Sequence, residues 1–403
     1  MTTELLNQFL QKLTKSEALP LSAIEQLAAI ALADELRAKA FGITPANAIQ
    51  VLELRSRLFH TIYPDLMQLC QTKGIKGHPY FLDTLWNLWL PLAMQLATDR
   101  KQLERPLIQG ILGGQGTGKT TLAAILTLIL GHLGYPSLSF SLDDLYKTYP
   151  ERLALQQQDP RLIWRGPPGT HDIELGIKVL DQLRRKAEEQ SCRGGFYQQS
   201  LTQTNHKTKP APLQGAGENY QLPITNYQLP ITNYQSIAVP RFDKSAWGGA
   251  GDRTQPEIVQ NIDIVLFEGW FVGVRPIDPS AFDNAPPPIL TADDCIFARD
   301  ANAKLQDYLP LWQRLDSLIL LLPTDYRLSQ QWRRQAEQQT IARGKSGMSD
   351  ETVNLFVEYF WKSIHPELFI QPMARNSDWV DLVVEINRDR SIGRIYKPSD
   401  RLP

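Results

Sequence analysis

Gly113-Gly-Gln-Gly-Thr-Gly118-Lys119-Thr120 decides the fold of this chain. The octapeptide matches G-x-x-x-x-G-K-[ST] without exception. A short apolar run, Leu107-Ile-Gln-Gly-Ile-Leu112, leads into it. A helical stretch, Thr120 to Gly131, follows and stops at Gly131 and Gly134. Strand, glycine turn and helix in that order are the context a phosphate-binding loop requires. Glycines let consecutive backbone N–H groups turn inward on phosphate oxygens, and the helix N-terminus adds positive potential. Gly113, Gly114, Gln115, Gly116, Thr117, Gly118 and Thr121 therefore join Lys119 and Thr120 as candidate ATP-binding residues. Lys119 would reach the outer phosphates, and the Thr120 hydroxyl would ligate Mg2+.

Outward from the loop, Ser137 to Leu142 reads as a second strand, which makes a βαβ unit and a parallel sheet. Ile262 to Phe267, Leu318 to Leu322 and Val380 to Ile386 are continuous apolar runs, as expected of strands buried on both faces. The fold class is thus α/β: a P-loop NTPase fold with a doubly wound, mainly parallel sheet. Residues 1–100 show apolar spacing of helical type (Leu5, Leu6, Phe9, Leu10, Leu13; Leu52, Leu54, Leu58, Ile62) and carry no visible chemistry, so they read as a helical extension. Pro91 interrupts the apolar stretch Trp86 to Leu92. Residues 101–403 then form the phosphate-loop domain. Asn219-Tyr-Gln-Leu-Pro-Ile-Thr225 recurs as Asn226 to Thr232, and Asn233-Tyr-Gln235 opens a third copy. Proline in every copy forbids a continuous helix, so about 191–235 reads as a disordered surface insertion.

Composition bounds the function. The chain has 403 residues, and at about 150 per domain this allows two or three domains. Lys plus Arg is 42 against 43 Asp plus Glu, a net charge of −1, which argues against a nucleic-acid binder. Three widely spaced cysteines, Cys70, Cys192 and Cys295, make neither a disulfide framework nor a zinc site and fit a reducing, cytoplasmic setting. The start of the chain lacks the pattern of a secretory signal. The most apolar run, Thr121 to Leu130, is far short of the ~20 residues that span a bilayer, so no membrane partner is expected.

Four further features bear on chemistry. Ser141-Leu-Asp143-Asp144-Leu-Tyr146 follows the second strand, where paired carboxylates face a ligand crevice. One could accept a proton from an attacking hydroxyl and the other hold the metal's water shell, or the pair could simply cap a helix. Ile262 to Phe267 ends in Glu268, an acid placed to contact Mg2+, or a mere strand-end acid. Trp332-Arg333-Arg334, Arg343 and Lys345 form a cationic helical stretch, either a lid over transferring phosphate or a solvated face. Val239-Pro-Arg241-Phe-Asp-Lys244 to Gly251-Asp-Arg253 is dense in cations, which could grip an anionic acceptor. Arg165-Gly-Pro-Pro-Gly-Thr-His171-Asp172 is similar in character, with His171 either structural or functional. An Asn-Lys-x-Asp tetrapeptide, usual in guanine-specific switches, is missing from the sequence.

These motifs jointly resemble the D-glycerate 3-kinases of plants, fungi and cyanobacteria, relatives of uridine kinase, phosphoribulokinase and bacterial pantothenate kinase. The resemblance rests on the loop, Ser141 to Tyr146, Arg165 to Asp172, Pro240 to Lys244 with Gly251 to Arg253, Phe267-Glu-Gly-Trp270, Trp332-Arg-Arg334, Gly344 to Asp350 and Asp378 to Ile386. It implies ATP-dependent phosphorylation of D-glycerate to 3-phosphoglycerate in photorespiratory salvage. By analogy with uridine kinase it implies Asp143 as the catalytic carboxylate beside Asp144 and Lys119, with Tyr146, His171, Arg241, Lys244 and Arg253 at the acceptor. The rival expectations are a kinase for another small metabolite (a nucleoside, pantothenate or ribulose phosphate) and a nucleotide-sensing regulator without turnover.

Overall fold

A computed structural model describes residues 2–15, 17–74, 80–185, 236–342 and 347–400. The repeat and insertion at 191–235, Cys192, Arg343 and Lys345 lie outside the described residues. The sheet has six strands: β1 (Leu107–Gly113), β2 (Ser137–Ser141), β5 (Ile264–Gly269), β6 (Ser317–Pro323), β7 (Leu382–Ile386) and β8 (Ile392–Tyr396), in the order β2-β5-β1-β6-β7-β8. All neighbours pair in parallel except β8, which returns antiparallel on β7. β3 (Ile237–Asp243) and β4 (Asp252–Val259) form a separate antiparallel hairpin.

Each predicted strand is present within two residues of its expected ends. The register explains why the site gathers where it does. Ile111 pairs with Glu268, Leu112 with Gly269, and Ser141 with Glu268, so β1, β2 and β5 end at one height. Their carboxyl ends open the crevice in which ligands of such sheets bind. The hairpin and β8 were not anticipated. Both mix apolar with polar or charged residues without a clean period and are only partly buried, a weaker signal than a fully buried run.

β1 alternates its side chains between two cores, as the pleat requires. Leu107 and Ile111 face a core shared with α7 (Lys119–His132) and with the N-terminal helices α1 (Thr2–Thr14), α2 (Leu21–Ala33), α4 (Ala48–Lys73) and α6 (Leu90–Gln102). The short α3 (Glu35–Ala40) packs at β8. The N-terminal helices thus cover one face of the sheet and share its core. Pro91 does not interrupt: α5 (Phe81–Thr84) runs through a wide turn, Leu85–Trp89, directly into α6, and Leu90 N–H reaches back to the Leu85 carbonyl. That wider spacing accommodates the proline ring.

Ile108 and Leu112 face the second core. It packs beneath α9 (Ile173–Arg184), α10 (Ala292–Lys304), α11 (Leu309–Trp312) and the hairpin, and α8 (Tyr149–Gln158) lies outside it on the surface. α12 (Leu328–Ala342) meets the phosphate loop through Trp332 at Gly116, and α13 (Asp350–Ser363) packs on α12. No helix among the described residues is long and apolar enough to cross a membrane. Cys70 and Cys295 are free thiols.

Phe267, fully buried, packs on Phe140 at 5.1 Å between ring centroids and on Trp312 at 6.3 Å. Phe267→Ala should therefore cost about 3–5 kcal/mol in urea unfolding; a loss below 1 kcal/mol would contradict this packing.

Candidate active site

The loop between β1 and α7 is shaped by glycine. Gly116 has φ +78°, and a Cβ there would sit 2.6 Å from the Trp332 side chain of α12. Thr117 folds its hydroxyl onto the Gly114 carbonyl at 2.8 Å. The backbone N–H groups of Gln115, Gly116, Gly118, Lys119, Thr120 and Thr121 take no protein acceptor among the described residues. Such an array of open donors at a helix N-terminus is what phosphate oxygens fill, so the residues present fit ATP.

Lys119 donates to the Gly114 carbonyl at 2.9 Å, and Thr120 donates to Glu268 Oε1 at 3.0 Å. Glu268 is 6% exposed, at the end of β5. Burial pushes the Lys119 ammonium below its ordinary value, against the pull of the Glu268 and Asp143 carboxylates. A hydroxyl backed by a buried carboxylate is a hard-oxygen donor set that suits Mg2+. No cluster of three or more His, Cys, Asp or Glu able to hold a metal occurs among the described residues. Any Mg2+ here would thus rely on Thr120 and Glu268 together with water and nucleotide oxygens.

The two aspartates separate sharply. Ser141 caps the short 3-10 turn Leu142–Leu145, accepting from Asp143 N–H, while Asp144 Oδ2 accepts from Ser141 N–H at 3.0 Å. Asp144 also accepts from Arg241 at 2.8 Å and from Phe242 N–H at 3.2 Å. All of these bonds are structural: Asp144 closes a capping box and ties the hairpin to the sheet. Asp143 instead lines the central cavity with Lys119, Thr120, Tyr146, Lys244, Glu268 and Arg333. The cavity is about 840 Å3. Lys244 lies 2.6 Å from Asp143, and the Tyr146 hydroxyl also donates to it. Burial pushes the Asp143 carboxyl up, but Lys244, with help from His171 and Tyr146, outweighs this and holds it below the usual carboxylate range.

The expected acceptor cations do not assemble. Arg241 is committed to Asp144 and Glu257, and Arg253 to Asp172 at 2.8 Å and to the Tyr146 carbonyl at 2.9 Å. Of that trio only Lys244 lines the cavity. Arg165 lines it as well, although sequence reasoning placed its weight on the hairpin cations. Arg333 reaches the cavity from α12, paired with Glu337 at 2.6 Å; Arg334 does not line it.

His171 is 2% exposed and stacks on Tyr146 at 4.5 Å. The Tyr308 hydroxyl accepts from Gly169 N–H at 2.9 Å and lies 2.8 Å from His171 Nδ1. The other ring nitrogen, His171 Nε2, is buried and has no partner among the described residues. His171 does not line the cavity. It supports the Tyr146 ring, whose hydroxyl touches Asp143, and so acts through that ring.

No family model matches the chain. The chloroplastic D-glycerate 3-kinase of Arabidopsis thaliana is 29% identical over 298 residues, covering 71% of this chain but 54% of that protein. A probable ATP-dependent kinase, TDA10, of Saccharomyces cerevisiae is 29% identical over 283 residues, covering 67% of this chain and 80% of that one. The structure of D-glycerate 3-kinase from Cryptococcus neoformans superposes with a TM-score of 0.57 at 25% identity, over 76% of this chain and 96% of that one. Fold and cradle are of the P-loop kinase type, and the similar proteins include kinases. Within that class the chain is similar to the D-glycerate 3-kinases, as its motifs imply.

Burial pushes the His171 pKa down to about 3, against the pull of Asp143. The unfolded chain binds this proton below about 6.5, so it binds more protons than the native state from there down to pH 3. Stability must fall as pH falls through that window, by up to about 1.4 kcal/mol per pH unit from this group. His365, also pushed down by burial, adds to the slope. Urea unfolding at pH 7 and 5.5 should show the loss, and His171→Asn should flatten it; an unchanged slope in the variant would contradict the assignment.

Proposed function

We propose that this chain transfers the γ-phosphoryl group of ATP to the 3-hydroxyl of D-glycerate, giving 3-phosphoglycerate and ADP, as a cytoplasmic step of photorespiratory salvage. One observation carries the reading: Lys119, the Thr120–Glu268 pair and Asp143 line a single cavity at the carboxyl ends of three strands. The D-glycerate 3-kinases among the similar proteins support the choice of acceptor.

The chemistry follows from the side chains. Asp143, ionised at neutral pH, accepts a hydrogen bond from the acceptor hydroxyl and orients it toward the phosphorus. As the new O–P bond forms, the hydroxyl proton passes to Asp143, and the β–γ bridging oxygen leaves with ADP. In a loose transition state little proton transfer is needed early, so a carboxylate of low basicity suffices. The open N–H groups of the cradle fix the phosphates, and Lys119 presents positive charge to their outer oxygens. Thr120 and Glu268 would hold Mg2+, which supplies further neutralisation of phosphate charge when bound. Tyr146 and Lys244 keep the Asp143 carboxylate facing the cavity. Arg333, on α12, stands ready to meet the transferring group.

ADP release coupled to NADH oxidation, measured with D-glycerate, uridine, pantothenate and ribulose 5-phosphate, tests the proposal. D-glycerate should give turnover well above the others. Faster turnover with another acceptor would overturn the substrate, and ATP binding without any acceptor-dependent turnover would indicate a sensor. Asp143→Asn should lower kcat by roughly 10²–10⁴-fold with the KM for ATP nearly unchanged, and Lys119→Ala should abolish turnover. Near-native activity of either variant would contradict the assigned role.

A further inference from the structure

The hairpin turn presents its own carbonyls to two arginines. Arg165 Nη1 donates to the Gly249 carbonyl at 2.7 Å and to the Ala250 carbonyl at 3.0 Å. Arg152 Nη2 donates to the carbonyls of Ala250 at 2.7 Å and Gly251 at 2.6 Å, and its Nη1 donates to the Lys147 carbonyl. Both guanidinium groups lie on the Phe242 ring, at 5.2 Å for Arg152 and 5.5 Å for Arg165. Gly251, at φ +74°, makes this close turn possible, because a Cβ there would collide with the Phe242 ring.

Two like charges are thus held side by side on fixed carbonyls. Among the described residues neither has a carboxylate partner within ion-pair distance, whereas Arg241 and Arg253 each have their own. The nearby Asp252 carboxylate is already engaged by Tyr149 N–H, Arg253 N–H and the Trp247 indole. Burial and the neighbouring Arg165 charge hold Arg152 below its ordinary pKa, as expected of uncompensated positive charge. Arg152 donates three hydrogen bonds, two of them to the turn, but among the described residues Arg165 Nε and Nη2 carry no acceptor. That free edge is the fork that binds a carboxylate bidentately. Arg165 also lines the cavity that holds Asp143, and one residue joins the two: Tyr146 donates to Asp143 and turns its ring toward Arg165, 6.0 Å from the guanidinium.

We propose that Arg165, clamped by the Gly249 and Ala250 carbonyls and backed by Arg152, receives the carboxylate of the acceptor, so that the enzyme selects short hydroxy acids over neutral alcohols. The inference rests on the D-glycerate reading for the identity of the acid, but not for the anion site itself. A small hydroxy acid bound this way puts its carboxylate on Arg165 and its distal hydroxyl on Asp143. A neutral alcohol leaves two adjacent cations uncompensated. Arg152 is a positioning residue, since both its terminal nitrogens are bound to backbone carbonyls.

The test compares the full chain with Arg165→Gln and Arg165→Lys. Arg165→Gln should raise the KM for D-glycerate on the order of 30-fold, with the KM for ATP within about twofold. Its preference in kcat/KM for D-glycerate over glycerol should fall by a similar factor, which a general loss of folding would not produce. Arg165→Lys should recover part of the affinity by charge alone. If Arg165→Gln keeps the native KM for D-glycerate and the native preference, the proposal is overturned while the substrate reading stands. If the native protein ignores D-glycerate but turns over pantothenate, and Arg165→Gln weakens that acid, the substrate reading fails and the anion site stands. If no carboxylate acceptor distinguishes the native protein from Arg165→Gln, the proposal is overturned.

Discussion

The hydrogen bond from Thr120 to Glu268 is the constraint on which the site depends. It joins the first turn of α7 to the end of β5 across the phosphate loop. Thr120 reaches Glu268 because β1 and β5 run parallel in a register that ends both strands together. Slipping that register by one residue would turn Glu268 away from the loop. The same strand ends carry the Ser141 cap, and through it the turn that aims Asp143 into the cavity. Cradle and carboxylate are therefore fixed by sheet pairing and need no long loop to bring them together.

Much of this was legible in the sequence because it is local. The loop motif, its flanking strand and helix, and the buried strands are contiguous runs whose periodicity needs no tertiary knowledge. Glu268 was legible for the same reason, as an acid closing an apolar run. What the sequence could not show was which of several like-charged groups face the cavity. Asp143 and Asp144 are adjacent and chemically identical; one capping box, set by Ser141, sends Asp144 to the backbone and leaves Asp143 facing the cavity.

The cations illustrate the same limit. Arg241, Lys244 and Arg253 are close in sequence and resemble one grip. The hairpin register pairs Phe242 with Arg253, and Arg241 and Arg253 meet separate carboxylates. Arg165, nearly 80 positions upstream, reaches the site only because the turn at Gly249 to Gly251 offers carbonyls to hold it. A charge already matched by a protein carboxylate stabilises the fold. A charge held by neutral carbonyls remains available to a ligand. His171 shows a third case: full burial removes its proton chemistry and leaves it a packing role against the Tyr146 ring.

The central claim is that donor phosphate and acceptor hydroxyl meet in one cavity, so that the phosphoryl group passes directly between them. Turnover of D-glycerate with ATP made chiral at the γ-phosphorus tests this most directly. A single in-line displacement predicts inversion of configuration in the 3-phosphoglycerate formed. Retention, which requires two successive displacements through a phosphorylated protein group, would contradict the account.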